Sequence, residues 1–394
     1  SLRRSLMMSE IDLEDLVENL MQCRRCGLCR NAVYDNRGFD GVCPVWKNTA
    51  GFETSFMRGR IQVALALLDG TLEKTPENAE ALFTCTLCGN CTEICASEFD
   101  PSECLEKMRA VLNDIPNDVR DSIAKKIMQF DNPYEENIQI KREWIKEVGF
   151  EVPTSGDVLY YTGCTAGIRL PNIAKSTVMV LKAADIDFAV LEDEPCCGSV
   201  MLRTGRADDA RKNAEKLSEV IKNSGAKKII VTCAGCLKTL RDDYPELDVE
   251  LPEVLHVTEV LQEIVKDRKL KLKSLGKDVK VTYHDPCHLS RAAGVYDEPR
   301  EIIRAIPGVE LVEMETNREA AMCCGAGGGL RSYDPALSKK IAAERVRNAV
   351  ETGAEIIVTA CPFCENNLQA GIEVEGSKTK VVDVVDLLFE SLEK

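Results

Sequence analysis

The chain has 394 residues, 44% of them hydrophobic and 29% charged, enough to bury two or three ordinary domain cores. Its longest apolar runs, such as Val63 to Leu68, fall far short of the roughly 20 residues a transmembrane helix requires. A net charge of −15 argues against a nucleic-acid partner, because phosphates demand basic patches.

The opening Ser1 to Met8 holds two arginines and two methionines but no apolar core of signal-peptide length, so the expectation is a cytoplasmic protein. In such a compartment thiols stay reduced, and the 19 cysteines read as metal or redox sites before disulfides. Residues 10–22 are expected to form an acidic amphipathic helix with Ile11, Leu13, Leu16, Val17 and Leu20 as its stripe.

Next come Cys23, Cys26 and Cys29, then Cys43 after thirteen intervening residues, and a second run of Cys85, Cys88, Cys91 and Cys95. C-x2-C-x2-C-x3-C is the bacterial ferredoxin pattern, in which three closely spaced thiolates hold one [4Fe-4S] cube and the fourth cysteine reaches the neighbouring cube. Crossed ligation assigns Cys23, Cys26, Cys29 and Cys95 to one cubane cluster, and Cys85, Cys88, Cys91 and Cys43 to the other. The stretched spacer before Cys43 and Ala96 in the place of the usual proline depart from the pattern without removing a ligand. A pair of four-thiolate zinc sites is the alternative. The apolar segment Arg60 to Leu68 should stand against the helix that follows Cys95, which makes residues 1–130 an α-helical ferredoxin-like domain. Cys104 belongs to no motif and is expected to be a small buried apolar residue.

Residues 131–156 read as a linker, with Asn132-Pro133 and Val152-Pro153 as breakers. Strand and helix then alternate, the signature of parallel strands with crossover helices. Expected elements are Asp157 to Thr162, Asn172 to Ala183, Asp187 to Leu191, Ala207 to Asn223, Lys227 to Thr232 and a helix near Cys236. After a charged link at Lys266 to Lys277 the series restarts: Val279 to His284, Pro299 to Ala305, Val309 to Met314, Pro335 to Thr352, Glu355 to Thr359 and a helix from Cys364. This is an internal repeat, with one copy over 157–270 and the other over 278–394.

Each copy carries the same five cysteines: Cys164, Cys196, Cys197, Cys233 and Cys236, then Cys287, Cys323, Cys324, Cys361 and Cys364. Most fall just past the carboxyl end of an expected strand, the edge where open parallel sheets bind ligands. Five thiolates exceed what one cube or a tetrahedral zinc takes, so an unusual iron–sulfur centre is expected in each copy.

The phrases Tyr-Thr-Gly-Cys-Thr-Ala-Gly, Tyr-His-Asp-Pro-Cys-His-Leu and Cys-Cys-Gly-Ala-Gly-Gly-Gly resemble the cysteine-rich CCG domains of heterodisulfide reductases. The order of a dicluster ferredoxin domain and two CCG domains is similar to the HdrD-type polypeptide of the membrane-linked enzyme in methane-metabolising archaea. The resemblance implies two Rossmann-like α/β CCG domains, each with a noncubane [4Fe-4S] cluster on its five cysteines. It implies reductive cleavage of a disulfide, that of coenzyme M and coenzyme B, with electrons arriving through the two cubane clusters. The partners it implies are a disulfide or thiol substrate and an electron-donor subunit, a membrane cytochrome b or a flavoprotein, so that any membrane association runs through a partner. The alternative is an electron-relay subunit of a flavin-dependent glycolate, lactate or glycerol 3-phosphate dehydrogenase.

Three further expectations concern the surroundings of the cysteines. His284 and His288 flank Cys287 and should hydrogen-bond a cluster sulfur, whereas His256 reads as structural. Gly325 to Gly329 should let backbone pack closely on a cluster. Arg169, Arg203, Arg291 and Arg331 lie near the cysteine motifs, where a sulfonate or phosphate clamp competes with plain surface arginine for each.

Overall fold

A computed structural model describes residues 11–31 and 41–393, so Ser1 to Met8 and the expected start of the first helix at Glu10 lie outside the described residues. Helix α1 (Leu13–Met21) opens on Asp12, whose carboxylate accepts from the amides of Glu14 and Asp15. Of its expected stripe, Leu16 and Leu20 are buried but Leu13 is 50% exposed: it shares their face but is the first residue of the helix. Helices α2 (Met57–Leu68), α3 (Pro76–Phe83) and α4 (Pro101–Val111) are the longer helices that follow, with short turns of helix at Leu28–Asn31, Pro44–Lys47 and Asn90–Glu93 beside the cysteines. α2 and α4 pack on each other and both pack on α1 and α3, as the apolar segment after Arg60 required. Cys104 is buried in this core, and burial pushes its thiol up to about 12, as befits an apolar residue.

Helix α5 (Asp118–Phe130) and a 3-10 helix over Ile138–Glu147 leave that core and join the next one. The breaker-rich stretch before the first strand is thus packed in place. Lys141 and Trp144, three apart and therefore on one face of a 3-10 turn, both point inward. The Trp144 indole donates to the Lys141 carbonyl at 2.5 Å and sets its edge on Tyr160 at 6.5 Å.

In the first α/β half, β1 (Val158–Tyr161) leads through α6 (Cys164–Ile168), α7 (Pro171–Ala183) and α8 (Ala207–Ser224) to β2 (Lys228–Val231). Then follow α9 (Ala234–Lys238), β3 (Glu253–His256) and α10 (Val257–Lys266). The second half repeats this with β4 (Val279–His284), α11 (Glu298–Ala305), β5 (Val309–Leu311), α12 (Leu330–Tyr333), α13 (Pro335–Glu351), β6 (Ile356–Thr359), α14 (Pro362–Glu375), β7 (Lys380–Asp383) and α15 (Val384–Glu390). All pairings are parallel, in the orders β1-β2-β3 and β5-β4-β6-β7.

Two details differ from expectation. The segment 187–191 meets β1 only through a bridge between Ala189 and Leu159, so it occupies the place of β5 without becoming a strand. β3 and β7, with the helices that follow them, were not anticipated. Each is four residues long at a sheet edge and alternates exposed with buried positions, too short and too polar a run to stand out.

The two halves embrace reciprocally. α7 packs on α15 and α10 on α11, so each half sets the helix after its first strand against the last helix of the other. The Asn172 amide donates to Asp386 across this seam at 2.5 Å.

Candidate metal centres

Cys164, Cys233, Cys287 and Cys361 each follow the carboxyl end of a strand, so the parallel sheets deliver them to one edge. There the ten thiols of the two patterns form one unbroken file. Cys164 meets Cys196, Cys196 meets Cys197, and Cys197 lies 3.3 Å from Cys236, which meets Cys233. Cys233 meets Cys361 of the second half, and the file continues through Cys364, Cys324 and Cys323 to Cys287. Cys323 also meets Cys88 of the ferredoxin-like part.

The vicinal pairs owe their shape to the glycine that follows them. Gly198 and Gly325 have φ of 80° and 88°, left-handed values that favour glycine, and their amides turn back onto the sulfurs of Cys196 and Cys323 at 3.5 and 3.3 Å. Buried amides hold the turns: Asn213 donates to the Cys196 carbonyl and Asn367 to that of Cys324, both at 2.6 Å. Hydrogen bonds from Cys196 and Cys236 pull the Cys197 thiol well below its ordinary value, and those from Cys323 and Cys364 do the same for its counterpart Cys324.

In the ferredoxin-like part Cys43 lies among Cys85, Cys88 and Cys91, and Cys29 lies among Cys23, Cys26 and Cys43. Cys95 packs against the same core as Cys23, Cys29 and Cys91. Cys43 thus neighbours both Cys29 of the first run and Cys85, Cys88 and Cys91 of the second. Cys88 is pushed down to about 5, first by its hydrogen bond from Cys323 and then by the nearby Arg291. Cys26 is exposed, so the first run opens to solvent.

Four buried cations accompany these cysteines, and sequence reasoning did not single them out. Arg60, inside an otherwise apolar helix, donates to the carbonyls of Ala81 and Thr84 and feels the charges of Cys85, Cys43 and Cys91. Arg109 donates to the carbonyls of Leu82, Cys85, Arg203 and Gly328, tying three parts of the chain together. The Lys141 ammonium donates to the carbonyls of Asp131 and Glu194 at 3.0 and 2.5 Å. Burial alone would lower it, but the charges of Cys164 and Glu194 outweigh that and hold it above the ordinary lysine value. Arg345 donates to His284 Nδ1 at 3.1 Å and to Thr316 at 2.8 Å. Their hydrogen bonds run to neutral acceptors, which do not by themselves offset a buried positive charge. The charges of nearby cysteines act against that burial together with Glu106 at Arg109, Glu194 at Lys141 and Asp285 at Arg345, yet burial still pushes Arg109 and Arg345 down to about 10.

His284 adds a directional test. Arginine only donates, so Nδ1 must accept and the ring proton sits on Nε2. That buried Nε2 has no hydrogen-bond partner among the described residues, and His284, Cys324 and Cys364 lie within 4.8 Å of one another. The N–H therefore awaits a sulfur acceptor at the second five-cysteine set. The five-thiol sets, the buried cations and this orphaned donor all fit anionic iron–sulfur clusters.

The remaining expected residues divide. His256 caps α10 and donates or accepts at Thr232 and Thr258, a structural role. His288 is partly buried, and burial first, then Arg203 and Lys238, push it down to about 3. Gly327 and Gly328 pack on the ferredoxin-like loop at Cys85 and Thr86, which crosses directly over them. Arg203 is buried between Glu106 and Asp243, and Arg291 donates to the carbonyls of Cys88, Glu319 and Ala321, so both serve to seat the ferredoxin-like part. Arg169 and Arg331 lie on aromatic rings beside the cysteine file.

The comparisons with known proteins accord with this geometry. Residues 19–99 match the 4Fe-4S dicluster domain, and residues 158–241 and 281–369 each match the cysteine-rich CCG domain. The chain is 38% identical over 83% of its length, and 83% of the relative's, to the HdrD polypeptide of the dihydromethanophenazine:CoB–CoM heterodisulfide reductase of Methanosarcina barkeri. It is 32% identical over 80% of its length, but only 47% of the relative's, to the EtfAB:quinone oxidoreductase of Syntrophomonas wolfei. A hypothetical protein from Helicobacter pylori, of known crystal structure, shares the fold at a TM-score of 0.59 and 8% identity, over 98% of this chain and 77% of that one. With a dicluster domain, two CCG domains and this level of identity along most of both chains, the protein belongs to the HdrD family of heterodisulfide reductase iron–sulfur oxidoreductases.

Proposed function

We propose that this chain is the catalytic subunit that reductively cleaves the disulfide of coenzyme M and coenzyme B. The observation that carries the reading is the file of ten thiols, in which Cys233 of one half touches Cys361 of the other. On this reading Cys23, Cys26, Cys29 and Cys95 hold one cubane cluster, and Cys43, Cys85, Cys88 and Cys91 the second. Cys164, Cys196, Cys197, Cys233 and Cys236 hold one noncubane [4Fe-4S] cluster, and Cys287, Cys323, Cys324, Cys361 and Cys364 the other. Bound there, iron–sulfur clusters supply one-electron transfer.

The reaction balances as R–S–S–R′ plus two electrons and two protons giving R–SH and R′–SH, with the S–S bond broken. Two facing five-thiol sets suit a two-electron cleavage better than one. The protein holds the sets end to end, excludes water by burying most of the thiols, and presents the His284 N–H toward sulfur. Electrons come from a donor subunit, a membrane cytochrome b or a flavoprotein, which meets the chain near exposed Cys26. The contact of Cys88 with Cys323 brings the second cubane set against the second CCG domain. Membrane association belongs to the partner: among the described residues no helix is long and apolar enough to cross a membrane.

A second reading, an electron relay for a flavoprotein, draws on the likeness to the Syntrophomonas wolfei oxidoreductase. One experiment separates them. Anaerobic polypeptide reduced by a viologen is expected to cleave the coenzyme M–coenzyme B disulfide with no flavin partner present, and Cys324→Ser to abolish this. Iron-replete, reducible protein that leaves the disulfide intact would establish the relay instead.

A further inference from the structure

The ten-thiol file runs through two repeated halves but does not expose them alike. Eight of its cysteines are buried, and the two that reach the surface, Cys233 and Cys287, come from different halves. They open at one place. The point where a Cβ on Gly235 would stand lies 3.6 Å from Ser199 Oγ, 3.7 Å from Cys233 Sγ and 3.9 Å from Nδ1 of His288, the residue after Cys287. Three side chains from three segments thus surround one position that has none, and Ser199, Gly235 and His288 are all partly exposed.

The fold does not ask for glycine there. Gly235 lies inside α9 with an ordinary helical backbone, where alanine is the better residue, and an added Cβ would meet its neighbours only at normal contact distance. Nor does a five-cysteine set require it, because in the repeat Phe363 stands between Cys361 and Cys364 where Gly235 stands between Cys233 and Cys236. There the space is filled. Arg331 covers the Phe363 ring at 5.6 Å, and Thr165, which follows Cys164 as His288 follows Cys287, has its hydroxyl engaged by Tyr134 at 3.0 Å. α6, which carries Thr165, packs on α14, which carries Phe363, and Cys164 and Cys361, the counterparts of Cys287 and Cys233, are both buried. A glycine that weakens its helix and meets no tight contact keeps room for a molecule that approaches the backbone.

We propose that the cysteine file has a single port, over Gly235, and that the absence of a side chain there sets what reaches Cys233 and Cys287, while the matching position at Phe363 is closed. The port rests on the disulfide-cleaving reading and adds to it the side of entry and the residue that limits size. A sulfur compound lies against the backbone of α9 between Ser199 and His288, and its sulfur arrives where both sets face solvent. The test uses the full, iron-loaded chain without oxygen. One readout is the half-saturating concentration and kcat of viologen-driven cleavage of the coenzyme M–coenzyme B disulfide. The other is the electron paramagnetic resonance signal of oxidised protein as 2-mercaptoethanol is added, because a thiolate bound to iron changes its ligand field.

Gly235→Phe, which copies the second half into the first, is expected to keep about sixteen irons. It is expected to raise the half-saturating concentrations of disulfide and thiol at least about 10-fold, the scale of effect that one methylene has in a fitted pocket. Gly235→Ala is expected to raise them several-fold with kcat held. Its Cβ meets nothing nearer than 3.6 Å, so it carries the test if Gly235→Phe loses iron. Phe363→Leu is expected to leave both concentrations at the wild-type value. Iron-replete Gly235 variants that keep wild-type half-saturation overturn the port, as does a Phe363→Leu effect equal to that of Gly235→Phe. If wild-type protein leaves the disulfide intact but the thiol shifts its signal, at a concentration that Gly235→Phe raises, the port stands and the disulfide-cleaving reading fails. Wild-type protein that neither cleaves the disulfide nor responds to the thiol overturns both.

Discussion

At the scale of single residues, charge and hydrogen bonding decide what each cysteine set can hold. Cys88, which the proposed ligation gives to the second cubane cluster, touches Cys323 of the second CCG domain. Cys88→Ser is expected to lower the iron content from about sixteen to about twelve per chain, one four-iron cluster, while the CCG signals persist in the electron paramagnetic resonance spectrum. A variant that kept both cubane signals would break the ligand assignment. A second residue-scale consequence concerns Asp383, which is 1% exposed at the start of α15. Burial, with Glu365 and Asp386 beside it, holds its carboxyl well above the usual range. The folded state therefore keeps a proton that the unfolded chain releases near pH 4, and stability falls as pH rises from about 4 toward the folded value. Asp383→Asn keeps an acceptor for the Val385 amide at 3.0 Å and removes the titration. It is expected to flatten the pH profile of the denaturation midpoint and to raise that midpoint at the alkaline end of the profile. A variant profile parallel to wild type would contradict the account.

At the scale of elements, the ferredoxin-like part is seated by loop on loop. A Cβ at Gly328 would run into the carbonyl of Cys85, and φ there is 60°. Gly328→Ala is expected to cost about 1–3 kcal/mol from overpacking, beyond about 1 kcal/mol for a left-handed backbone. Gly276→Ala is the control: φ is 89° but nothing lies within 4 Å, so only the backbone cost applies. Denaturant midpoints of the two variants test this, and equal losses would mean that the loop contact is loose. Arg109 reinforces the same junction, since its guanidinium serves carbonyls of Leu82 and Cys85 on one side and of Arg203 and Gly328 on the other.

At the scale of the whole molecule, the two CCG domains are one unit. Their reciprocal helix packing, α7 on α15 and α10 on α11, is what brings Cys233 to Cys361. Protein purified without oxygen is expected to carry about sixteen irons and a matching amount of sulfide per chain, from four four-iron clusters on eighteen cysteines. Elemental analysis checks this, and a chain loaded with zinc and nearly free of iron would end the iron–sulfur reading.

Much of this was legible in the residues alone, because ligand spacing is local chemistry. C-x2-C-x2-C and C-C-G announce their metal partners wherever the chain runs, and the repeat revealed two copies of one fold. Long helices such as α8 and α13 followed from their periodicity. The edge strands β3 and β7 did not, since four alternating residues carry too little pattern to be told from a turn. Nor did the roles of Arg60, Arg109, Lys141 and Arg345, because a buried cation is marked by its surroundings and not by its neighbours in sequence. Arg203 and Arg291 were candidates for a substrate clamp that the packing assigns to carboxylates and carbonyls. By itself the sequence determined the family, the α/β class and the cysteine inventory. Only the tertiary structure decided that ten thiols stand in one file and that His284 turns its N–H toward sulfur, because both depend on how distant helices and sheets pack, which no local spacing encodes.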